Sequence, residues 1–166
     1  RSAMVDQAMA AWGRVDILVC NAGFLRDKSF SKMTLDDVRQ IVDVHLMAAF
    51  YGAKAVWDTM KAQGYGRIVF TTSSSGLFGN FGQANYGAAK MGLVGLMQTL
   101  ALEGEKYNVR VNCLAPTAAT RMTEDLMPPE VLQLLTPESV TPALLVLASA
   151  QAPNRCVLNE IGRAHV

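Results

Sequence analysis

The chain has little with which to hold a metal, build a disulfide framework or grip a nucleic acid. Two histidines, His45 and His165, and three cysteines, Cys20, Cys113 and Cys156, are spread over 166 residues. There is no CxxC pair, so no metal site is expected. An odd number of distant cysteines, two of them inside apolar runs, reads as reduced packing thiols. The net charge of +1 comes from scattered basic and acidic residues. Neither a nucleic-acid footprint nor a basic membrane face is therefore expected. No apolar run reaches the roughly 18 residues of a membrane span, and the first residues carry no signal-peptide core.

What is present is apolar and alternating. Hydrophobic residues make up 51% of a length suited to one domain. Met4, Val5, Ala8, Met9 and Trp12 recur at helical spacing. Ile17–Cys20 is a short apolar run ending in Asn-Ala-Gly, which predicts a buried strand stopping at a turn. Thr34, with Asp37 three residues on, opens one long helix that closes at Gly64. A second strand is predicted at Ile68–Thr72, a second long helix from Tyr86 to about Tyr107, and a third strand in VRVNCLAP, halted by Pro116. A loop and short helix should fill about Thr117–Leu135. A last helix follows in PESVTPALLVLASA, whose Pro142 sits near the first turn, and CVLN is a fourth strand. Helices alternating with continuous apolar strands predict an α/β fold whose parallel sheet is covered on both faces.

In such sheets ligands bind beyond the carboxyl ends of the strands. The chemically unusual residues obey that rule. Asn21-Ala22-Gly23 follows the first strand, Ser73 the second and Pro116-Thr117 the third. Tyr86 and Lys90 lie four apart on a helix and so share a face. Such a pair is commonly only structural. Near a polar strand exit, an ammonium could favour the phenolate and make the phenol a usable acid/base. Ser73 could hold the same substrate oxygen as charge develops. That set suits alcohol–carbonyl interconversion, which also needs a hydride carrier from outside the protein.

These pieces resemble the classical short-chain dehydrogenase/reductase family. CNAG, Ser73, YGAAK and RVNCLAP run in family order from Arg1 to about Asn159. LRDKSFSKMT, VHLMAAFYGAKAVWDTM, GNFGQANY and RMTEDLMP are similar to the (3R)-hydroxyacyl-CoA dehydrogenase branch: the dehydrogenase domain of the multifunctional β-oxidation enzyme and its bacterial single-domain relatives. The resemblance implies a partial doubly wound, Rossmann-like sheet, since the family's first strands and its glycine-rich dinucleotide turn have no counterpart here. It implies Tyr86 as acid/base, Lys90 as binder of the nicotinamide ribose and depressor of the tyrosine pKa, and Ser73 as donor to the substrate oxygen. Asn21, Ala22, Gly23, Pro116 and Thr117 would lie beside the cofactor, NAD or NADP, with NAD favoured. An acyl-CoA thioester is the implied substrate. A homodimer or homotetramer is implied, located in the bacterial cytoplasm or, in a eukaryote, the peroxisome.

Several departures bear on the site. His45 stands where the family carries a helix asparagine in a proton relay. It is either a proton carrier or a histidine bonded to backbone. Thr117 replaces a glycine, and Thr120 and Thr123 flank Arg121 near the family's cofactor-amide threonine. Gly87, Ala88, Gly92 and Gly95 would let helices approach closely, across a subunit interface or within one chain. The final EIGRAHV reverse-translates to a sequencing-adapter sequence. Residues 1–159 are therefore expected to be the carboxyl-terminal part of one dehydrogenase domain, and 160–166 a non-native tail with no role for His165. Without the pyrophosphate turn, the 166 residues alone are expected to be inactive.

Overall fold

A computed structural model describes residues 3–118 and 135–160. Four strands form one parallel sheet in the order β1 (Ile17–Cys20), β2 (Gly66–Thr71), β3 (Val109–Pro116) and β4 (Val157–Glu160). In register, Cys20 pairs with Phe70, Phe70 with Cys113 and Pro116 with Glu160. Glu160, placed by sequence in the tail, thus closes β4. The helices are α1 (Ala3–Trp12), α2 (Leu35–Val42), α3 (Ala48–Gln63), α4 (Ser74–Phe78), α5 (Ala84–Gly104) and α6 (Pro137–Ala148).

Both sheet faces bury apolar side chains, as the continuous runs require. Leu18, Ile68, Phe70, Val109, Val111 and Cys113 meet Val5 of α1, Ala53 and Val56 of α3, and Leu93 and Met97 of α5. On the opposite face Val69 and Leu114 meet Leu147 of α6. The same β-strand alternation that sends Ile68 one way sends Val69 the other.

The helix predicted from Thr34 to Gly64 runs end to end but is not uniform. Thr34 caps α2 in a capping box with Asp37, and Gly64 ends α3 in the left-handed region at φ 64°. Between them Asp43–Met47 forms a π-helical turn. The Ser/Gly run after β2 contains the short helix α4. The predicted end of α5 is a 3-10 turn at Glu105–Tyr107. Thr72, assigned to the second strand, lies just past β2, where its amide still bonds Leu114 O at 2.8 Å. The loop and short helix expected at Thr117–Leu135 fall mostly outside the described residues, as do Thr120, Arg121, Thr123 and His165.

Candidate active site

Parallel pairing places every strand's carboxyl end on one side, so the exits after Cys20, Thr71 and Pro116 open together. The first two exits are tied directly: Thr71 Oγ1 donates to Asn21 Oδ1 at 2.9 Å. Ser73 leaves β2 in extended backbone and caps α4, its hydroxyl accepting from Ser75 N at 3.2 Å.

Glycine brings α4 onto α5. A Cβ on Gly76 would stand 2.8 Å from Lys90 Cβ, and one on Gly87 3.1 Å from Ser75 O. Gly92 likewise accommodates Leu46 within the chain, whereas a Cβ on Gly95 would meet open space. This close seat sets Ser73 against Tyr86, and the Ser73 hydroxyl draws the phenol's pKa downward. Burial acts more strongly in the other direction and leaves the Tyr86 phenol above its ordinary value.

Lys90 is 4% exposed. Its Nζ donates to Thr71 O at 2.5 Å and stands 5.4 Å from the centre of the Tyr86 ring. Thr72 Oγ1 bonds Lys90 O at 2.7 Å, pinning the helix to the strand exit. Burial pushes the Lys90 ammonium down to about 8. The expected depression of the tyrosine by the lysine is therefore not the dominant effect in this structure. Both groups are partly or wholly removed from water, and desolvation penalises each charged form.

His45, in the π turn, is 5% exposed. Its Nε2 lies 2.7 Å from Phe24 O and 3.2 Å from Phe24 N, just past the β1 exit. Its ring meets the Tyr86 ring edge-on, 5.1 Å between centres and 87° between planes. Nδ1 is buried with no hydrogen-bond partner. Burial and the Lys90 charge hold this imidazole below its ordinary pKa. The structure thus gathers Ser73, Tyr86, Lys90 and His45 and sets the exposed Asn21, Ala22 and Gly23 beside them. Pro116 and Thr117 stand half-exposed at the neighbouring exit of β3.

Sequence reasoning missed the residues that hold this assembly. Asn85 is buried and bonds Arg26 O at 3.2 Å, Asp37 O at 3.4 Å and the Tyr86 amide at 2.8 Å. Gln83 bonds Asp27 at 2.7 Å and Asn80 at 3.1 Å. Both lie in GNFGQANY, where polar residues beside a catalytic-type tyrosine were the available signal. Cys20 and Cys113 are free thiols that burial pushes to about 11 and about 12. They are thus protonated and unreactive near neutral pH. Among the described residues, no cluster of three or more His, Cys, Asp or Glu could hold a metal, and no helix is long and apolar enough to cross a membrane.

The short chain dehydrogenase family model matches residues 1–130. Over 163 residues the chain is 48% identical to a short-chain type dehydrogenase/reductase of Mycobacterium tuberculosis, covering 98% of this chain and 57% of that protein. It is 54% identical over 144 residues to the peroxisomal hydratase-dehydrogenase-epimerase of Saccharomyces cerevisiae, covering 87% of this chain and 16% of that one. The full-length peroxisomal multifunctional enzyme type 2 of Drosophila melanogaster superposes with a TM-score of 0.78 at 41% identity, covering 86% of this chain and 26% of that chain. The chain thus spans little more than half of one relative and 16% and 26% of the other two.

Proposed function

Because the chain belongs to the short-chain dehydrogenase family, we propose that it holds the reacting oxygen in a nicotinamide-dependent oxidoreductase. The observation that carries this reading is the convergence of Ser73, Tyr86 and Lys90 where the strands open.

Tyr86 is the acid/base. In reduction its phenol gives a proton to the carbonyl oxygen; in oxidation its phenolate takes the alcohol proton. The raised phenol pKa keeps Tyr86 protonated near neutrality, which favours the donating role. Ser73 holds the same oxygen by hydrogen bond as its charge changes. Lys90 has three N–H donors and uses one on Thr71 O. The others fit the paired hydroxyls of a ribose. Asn21, Ala22, Gly23, Pro116 and Thr117 line the cofactor's side of the opening. A bound nicotinamide would supply or accept the hydride.

The substrate class we favour is a 3-hydroxyacyl-CoA thioester, supported by the resemblance of GNFGQANY and its flanking segments to that branch. NAD is the favoured carrier. The hydratase-dehydrogenase order in the yeast relative's name is consistent with this substrate, since hydration of a double bond yields an alcohol. A homodimer or homotetramer follows from the same resemblance. The bacterial cytoplasm, or the peroxisome in a eukaryote, is the compartment proposed.

The test is Tyr86→Phe in an enzyme completed with the unmatched remainder of the Mycobacterium tuberculosis relative. Hydride transfer from 3-hydroxyacyl-CoA should fall by about 10²–10⁴-fold. An unchanged rate would reject Tyr86 and favour a non-catalytic binding module. Preference for 3-oxoacyl carriers, steroids or small ketones would correct the substrate.

A further inference from the structure

Resting on that reading of Tyr86, we propose that His45 is a positioning residue. It transmits the shape of the β1 exit turn to the tyrosine ring, and position 23 is glycine because the imidazole fills the space its side chain would need.

Three contacts fix the imidazole. A Cβ on Gly23 would lie 2.2 Å from His45 Cε1, 2.9 Å from Nδ1 and 3.1 Å from Nε2. All three are closer than an ordinary contact, and a rigid ring has no flexible end to swing away. On the next residue, Nε2 meets both Phe24 O at 2.7 Å and the Phe24 amide at 3.2 Å, so the backbone holds it as donor or as acceptor, the shorter contact being the one an Nε2–H makes to the carbonyl. On the remaining side, the Tyr86 ring takes the imidazole at 87°. The seat is built by the π turn at Asp43–Met47, whose wider hydrogen-bond ring interrupts an otherwise α-helical run.

This arrangement suits a wedge better than a proton carrier. With Nε2 occupied by the backbone of Phe24, a relay would have to run through Nδ1. That atom is buried, without a partner, and faces Gly23. The ionisable groups facing the ring from α5 are Lys90 and Tyr86; beyond Phe24, Arg26 stacks on the phenylalanine ring at 4.9 Å. Burial first, and then the Lys90 charge, disfavour an imidazolium. His45 therefore stays neutral and in one tautomer. It links the turn beside the proposed cofactor to the ring of the proposed acid/base.

The experiment is a double-mutant cycle in the completed enzyme, with nitrogen NMR of His45. Gly23→Ala should drive the imidazole onto Tyr86 and lower kcat by about 10²-fold, the cost of a misplacement near 1 Å. His45→Ala on the same background should restore about tenfold or more, because the methyl then has room. Losses that simply multiply would overturn the coupling. Should Gly23→Ala fail to fold, the double variant must regain a cooperative melt; its failure to do so counts against the wedge. His45→Gln, whose amide nitrogen can replace Nε2, should outperform His45→Leu. Equal losses in both would refute a positioning role. The NMR spectrum should show one tautomer of a neutral His45, titrating below the ordinary imidazole range. Titration in step with kcat would assign His45 a proton-carrying role instead. The spectrum and the melts need no turnover. An inactive parent enzyme would thus count against the Tyr86 reading alone.

Discussion

Lys90 keeps an ammonium where burial prefers a neutral amine. Its one hydrogen bond, to Thr71 O, does not restore the lost hydration, and its pKa falls from 10.5 to about 8. The unfolded chain binds this proton more tightly than the folded one. The penalty is therefore fully felt below pH 8 and is relieved as pH rises toward 10.5. At neutral pH it is on the order of 3 kcal/mol. Lys90→Met should abolish hydride transfer in the completed enzyme yet raise its stability at pH 7 by about 2 kcal/mol or more. The gain should shrink by pH 10. Denaturant melts across that range measure it, and a variant less stable at pH 7 would show that the bond to Thr71 outweighs desolvation. The four-residue spacing of Tyr86 and Lys90 was legible in the sequence. Their depth was not, because periodicity gives the shared face and not the water left around it. That is why the expected lowering of the phenol by the lysine gave way to opposed effects of burial on each.

At the scale of elements, the entry to α2 shows a local signal fully read. Thr34 Oγ1 accepts from Asp37 N at 3.1 Å, and Asp37 Oδ2 accepts from Thr34 N at 3.0 Å and from Lys28 Nζ at 2.9 Å. Lys28 first, then Thr34, holds the Asp37 carboxyl down at about 2. The stability this brings is present above the ordinary 3.8 and lost as pH falls through about 2. Thr34→Ala should cost about 1 kcal/mol at neutral pH, read as a lower denaturation midpoint. No measurable loss would mean that Lys28 and the Thr34 amide suffice. The π turn behind this helix was not legible, since one wide turn shifts the apolar pattern by a single residue. Nor was Arg67, a charged residue 1% exposed inside an apolar strand. It donates to Ser149 O, Ala150 O, Gly66 O and Asn108 O at 2.7–2.9 Å, fastening the end of α6 to the start of β2 and β3. Three of those four carbonyls come from distant positions that no local pattern brings together. The α4 helix was hidden by its single glycine, Gly76, which weakens a helical pattern but serves as the contact surface for α5.

For the molecule as a whole, the order of elements and the shared opening of the strands were legible because each apolar run ended in a polar or glycine-bearing exit. β1 pairs with β2 alone and presents its other edge unpaired among the described residues. Leu18 is buried beneath α3, while Ile17 and Val19, on the opposite face, are 48% and 39% exposed. An unpaired strand bearing apolar side chains is a template for pairing with another chain. The 166 residues should therefore self-associate through β1. Val19→Lys places a charge on that face without touching Ser73, Tyr86 or Lys90. It should shift sedimentation toward monomer while the melting midpoint changes little, because a half-exposed valine contributes little to the core. Undiminished association in Val19→Lys would move the contact elsewhere, to the exposed Tyr51, Met91 and Leu102 of α3 and α5. Association through those helices would match the homo-oligomer proposed from resemblance, and through β1 it would mark an edge left open. The same experiment thus separates an assembly surface from a sheet edge lacking a neighbour.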